Sequence, residues 1–134
     1  IDPAERARLD ESKVVIARIR ALREQDGDDP ALLFGAPASY WLDLANYDSI
    51  AAAEALARPT LLVQGEGDFQ VTVQEDYQPW VARLGDKDWF TAKSISEVGH
   101  LFTAAGDPPA PADYETVGFV DVRVIEAVSG WIKS

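Results

Sequence analysis

Cysteine and methionine are both absent from the 134 residues, histidine occurs once, and 23 acidic residues stand against 12 basic ones. Without cysteine there is no disulfide, no thiolate nucleophile and no cysteine-ligated metal, and the redox compartment goes unmarked. With only one histidine besides, a zinc site has too few of its usual protein ligands. No apolar run approaches the roughly eighteen residues that a membrane-spanning helix needs. The formal charge of −11 sets up a field that repels phosphate backbones and anionic lipid surfaces. Neither nucleic acid nor a membrane is therefore an expected partner. Gly-x-Gly-x-x-Gly and Gly-x-x-x-x-Gly-Lys are both missing, so no nucleotide cofactor is expected. Asp26, Asp28 and Asp29 lack the ligand spacing of a calcium loop and read as a solvated turn. The start has no signal-peptide plan, and a chain that opens on Ile1 and holds no methionine suits a piece of a longer protein. Compartment, cytoplasmic or secreted, is left open.

The length fits one domain with one core. Asp2-Pro3-Ala4-Glu5 offers a cap, a proline at the first helical position and an acid three residues after the cap. A helix is expected from there. Val15, Ile16, Ile19 and Leu22 form its apolar stripe, and the breaker cluster Asp26-Gly27-Asp28-Asp29-Pro30 ends it. Two shorter helical patterns follow, one around Tyr40 to Leu44 with Ser39 as cap, the other from Ser49 to Ala57 with Asp48 as cap. After Pro59, the run Leu61-Leu62-Val63 reads as a strand buried on both faces. Thr72-Val73-Gln74-Glu75 is a capping box for a helix whose core face is Val73, Tyr77, Trp80, Val81 and Leu84, and Gly85 ends it. Trp89 to Ile95 reads as a second strand. Residues 103 to 116, with Gly106, Pro108, Pro109 and Pro111, read as a loop, and a last helix from about Asp121 carries Val124, Ile125, Val128, Trp131 and Ile132.

Strand, helix, strand is the parallel crossover unit, so the loops leaving the two strands share one edge of the sheet. Asp68 sits in the first loop, within Gly65-Glu66-Gly67-Asp68, and His100 in the second, after Gly99. That edge is where open α/β sheets bind ligands, and neighbouring strands lie about 4.8 Å apart, which puts carboxylate and imidazole within hydrogen-bonding reach. Such a pair suits acyl transfer, where the acid fixes the tautomer of the ring and stabilises the imidazolium it forms. Leu101-Phe102, with Tyr40, Trp41, Phe69 and Tyr114, supply aromatic and apolar material for a pocket wall or for ordinary core.

From about Leu33 onward the chain resembles the C-terminal part of an α/β-hydrolase of the serine esterase, dienelactone hydrolase and serine aminopeptidase kind. The residues that carry the likeness are Gly35 to Leu44, Pro59 to Thr72 with Gly65-Glu66-Gly67-Asp68-Phe69-Gln70-Val71, Gly99-His100-Leu101-Phe102, and the closing helix to Trp131-Ile132. The resemblance implies an α/β fold of parallel strands with a crossover helix and a C-terminal helix, residues 35–134, preceded by cap-like helices in residues 1–34. It implies that Asp68 is the triad acid and His100 the triad base, acting on an ester or amide without cofactor or metal.

One part of that pattern is missing. No serine of the chain has glycines two before and two after it, so the Gly-x-Ser-x-Gly elbow has no counterpart among these residues. The expectation is a segment that is inactive alone, its serine supplied upstream. The strand edge left open then needs a cover, either the N-terminal half of the same protein or a second copy of this chain. A different reading stays open beside it: a non-catalytic α/β interaction module, or a degenerate hydrolase domain, in which Asp68 and His100 are structural.

Overall fold

The computed structural model describes residues 2–133, the side chain of Glu5 excepted, and the chain divides into two compact units, 1–48 and 49–134. In the first unit, helix α1 spans Pro3–Ala21 and starts as its sequence requires, with the Asp2 carboxylate accepting from the Ala4 amide at 2.9 Å. The partner role expected of Glu5 lies outside the described side chains. The helix stops short of the breaker cluster. Arg23 turns extended, and its guanidinium donates to the last carbonyls, Ala21 at 2.9 Å and Leu22 at 2.8 Å. A single 3-10 turn, Glu24–Asp26, follows, tied by the Asp26 carboxylate accepting from the Arg23 amide and closed by the Gly27 amide on the Glu24 carbonyl. Of the expected stripe, Val15, Ile19 and Leu22 are half-buried and Ile16 is exposed. Helix α2 spans Ala38–Asn46. Pro37, not Ser39, occupies its cap position, and no side chain caps it. Leu33 and Ala38 are the buried residues here, and the Trp41 indole donates to the Leu33 carbonyl at 2.9 Å.

The second unit holds α3 (Ser49–Leu56), β1 (Thr60–Gly65), α4 (Gln78–Leu84), β2 (Phe90–Ile95) and α5 (Val122–Ile132). Strands β1 and β2 pair in parallel, Thr60 opposite Phe90 through Gly65 opposite Ile95. The expected strand–helix–strand unit is therefore present. Burial differs from expectation: Thr60 to Val63 are only half-buried, and Gln64 and Gly65 alone are buried in β1. With two strands in the sheet among the described residues, β1 keeps one edge open along its length.

The helix after β1 opens on a wider turn than its sequence suggested. Val73–Tyr77 forms a π turn that runs into α4. Thr72 Oγ1 accepts from the Glu75 amide at 3.1 Å as a capping residue should, but the returning carboxylate is that of Asp76, which accepts from the Thr72 amide at 2.6 Å. One extra residue in the turn shifts the reciprocal position from Glu75 to Asp76. Further on, Leu84 is fully buried, while Val81 on the same side is exposed. In α5, Asp121 caps through the Arg123 amide at 2.8 Å. The buried line is Val124 and Ala127, and Ile125, Val128 and Ile132 of the expected face are exposed. Ile95, Val98 and Val124 are the centre of the core, with Val63 and Phe102 against them, and this cluster lies under the carboxyl ends of both strands. Among the described residues no helix is long and apolar enough to cross a membrane.

Candidate active site

The loops after β1 and β2 are joined at the backbone before any side chain is considered. Glu66 donates to the Ile95 carbonyl at 2.9 Å and Gly67 to the Val98 carbonyl at 2.8 Å. Two glycines make this approach possible. A Cβ on Gly65 would stand 2.4 Å from the Val98 oxygen and 2.8 Å from the Gly99 oxygen, and one on Gly67 would stand 2.4 Å from Ala105 Cβ. The Gly-x-Gly spacing before Asp68 is thus a packing requirement between two loops.

Asp68 uses its two oxygens differently. Oδ1 accepts from the amides of Gln70 and Val71, both at 2.9 Å, and Oδ2 lies 2.8 Å from His100 Nδ1. The Asp68 side chain is 6% exposed and that of His100 38%. Because the ionised carboxylate can only accept, the neutral ring carries its proton on Nδ1, which leaves Nε2 as the basic atom. Burial pushes the Asp68 carboxyl up, but the Val71 amide, the His100 ring and the Gln70 amide together outweigh it and hold the group below its ordinary value. It is an anion at neutral pH. That is the state a triad acid requires.

The histidine loop is held by its own bonds: Gly99 donates to the Thr103 carbonyl at 2.9 Å, and Ala105 to the Glu97 carbonyl at 2.9 Å. Phe102 adopts a left-handed φ of 58° and packs half-buried against the core cluster, and Leu101 is exposed. Of the aromatic candidates, Phe69 and Tyr114 meet with ring centroids 5.4 Å apart, and Tyr114 lies edge-on to His100 at 6.3 Å. The Tyr114 hydroxyl donates to the Gln70 side-chain oxygen, which fastens the 111–115 turn to the acid loop. That turn is itself closed by the Asp113 carboxylate, which accepts from the Gly106 and Ala110 amides at 3.0 and 3.2 Å. Tyr40 and Trp41 belong to the other compact unit. The bonding roles of Gln64, Gln70 and the Tyr114 hydroxyl have no signal in the sequence, since single amides and a loop tyrosine form no spacing pattern.

No known family profile and no solved structure matches the chain. Esterase EstD of Thermotoga maritima is 29% identical to it over 114 residues, 85% of this chain and 27% of that protein. The chain is thus similar to a segment of an esterase and spans about a quarter of that relative's length.

Proposed function

We propose that these residues form the acid–base segment of a serine hydrolase of α/β-hydrolase fold that cleaves a carboxylic ester or amide. The observation that carries the reading is the Asp68 Oδ2 to His100 Nδ1 contact of 2.8 Å across the ends of two parallel strands. The likeness to an esterase segment supports it. In this reading the nucleophilic serine and its half of the oxyanion hole belong to polypeptide outside these residues, and residues 1–34 belong to a cap. His100 Nε2 takes the serine proton as the hydroxyl attacks the carbonyl, and Asp68 stabilises the imidazolium. The same proton then goes to the departing alcohol or amine. Water repeats the sequence on the acyl-enzyme, and the acid is released.

The sheet edge of β1 not used by β2 is, in this reading, paired with a strand of the missing portion, or with a second copy when this chain stands alone. The expected behaviour of the isolated chain follows from both parts of the proposal. At micromolar concentration it should sediment as a dimer or larger and should not hydrolyse a p-nitrophenyl ester, while the full-length protein that carries it should. Turnover by the isolated chain at the full-length rate would sink the claim that the nucleophile lies elsewhere, and a monodisperse monomer would sink the claim about the edge.

A further inference from the structure

Gln64 is a buried polar side chain, 6% exposed, at the end of β1 and beside the acid loop. Its amide nitrogen donates to the Gly65 carbonyl at 2.9 Å and to the Val71 carbonyl at 2.7 Å. Both partners are carbonyls, so the orientation of the amide is fixed by chemistry: only nitrogen can face them. Those two carbonyls mark the start and the end of the loop that bears Asp68. Within the loop, Val71 and Gln70 give their amides to Asp68 Oδ1, and the Asp68 amide itself donates to the Gly65 carbonyl at 3.3 Å. Val71 is therefore gripped on both sides, accepting from Gln64 and donating to Asp68.

We infer that Gln64 is a positioning residue for the acid: it clasps the ends of the Asp68 loop so that Oδ1 is spent on loop amides and Oδ2 is left aimed at His100 Nδ1. The inference rests on the acid–base reading above and adds a residue to it. Without the clasp, Val71 is free to drift. The two amides on Oδ1 drift with it, and the carboxylate can rotate off the ring. An error of this kind acts on the geometry of proton transfer and not on substrate binding, so it falls on kcat and spares KM.

Gln64→Met preserves side-chain length and removes both N–H donors. In the 134-residue chain, whose single histidine makes the signal unambiguous, the downfield proton resonance of the His100 Nδ1–H is expected to be present with Gln64. It should be lost to solvent exchange in Gln64→Met while amide dispersion is kept. In the full-length protein kcat is expected to fall on the order of 10- to 100-fold with KM unchanged. Gln64→His keeps one ring N–H for the Val71 carbonyl and, read by kcat in the full-length protein because it adds a second histidine to the resonance experiment, should recover part of the loss. An undiminished resonance in folded Gln64→Met, a kcat within about twofold of the parent, or a Gln64→His kcat no better than that of Gln64→Met would overturn the assignment. Should the full-length protein hydrolyse nothing, the hydrolase reading fails by itself, and the resonance still decides whether Gln64 holds Asp68 against His100.

Discussion

Asp68→Asn is expected to lower kcat of the full-length protein by about 10⁴-fold while leaving the fold in place. The reason lies in the division of labour between the two oxygens. Asparagine keeps one oxygen, which the amides of Gln70 and Val71 hold where Oδ1 now is. The atom that then faces His100 Nδ1 is an NH₂ group, a donor. It can be satisfied only if Nδ1 gives up its proton and becomes the acceptor, so the proton moves to Nε2 and the basic nitrogen points away from the nucleophile. Loop geometry survives and the base is lost. The same substitution leaves a signature in stability. The native carboxyl titrates below its unfolded value of 3.8, so its contribution is complete above that pH and is lost as pH falls through the lower native value. Asp68→Asn should therefore flatten the acid side of the stability curve below about pH 4. Parent-like kcat in the variant would remove Asp68 from the mechanism.

Gly65→Ala is expected to destabilise the chain by about 1–3 kcal/mol and to displace the histidine loop. A methyl group there meets two backbone oxygens, those of Val98 at 2.4 Å and Gly99 at 2.8 Å. A flexible side chain can swing aside, but these carbonyls cannot, because the Val98 carbonyl also accepts from the Gly67 amide and fully buried Val98 anchors the core. The strain must move the segment leading directly into His100. Urea unfolding should show a lower midpoint with an unchanged slope, and the His100 Nδ1–H resonance should shift or disappear. Equal midpoints for the two proteins would mean that the loops are not in the close contact described.

The central pair was legible because it depends on topology. Two parallel strands bring their following loops to one edge, and the acid and the single histidine lie in those loops. The glycines before Asp68 were visible as a motif, but their purpose was not, since nothing local in Gly65-Glu66-Gly67 says that the Val98 carbonyl approaches from the next loop. Periodicity misled where cover was in question. Leu61 to Val63 and the α5 face are apolar at the right spacing, yet spacing names an apolar face without naming what lies over it, and Ile125, Val128 and Ile132 stand exposed. Capping chemistry was right in kind and wrong by one residue, because a π turn moved the reciprocal acid from Glu75 to Asp76. Gln64 escaped altogether. Its role consists of two bonds to backbone carbonyls, and backbone positions are what a string of side chains does not display.

Labelling of the full-length protein with a fluorophosphonate probe, followed by peptide mapping, tests the acid–base reading most directly. The adduct is expected on a serine outside these 134 residues, and His100→Ala should abolish its formation in a protein that remains folded. Labelling that proceeds undiminished in His100→Ala, or no labelling of the parent at all, would contradict the account.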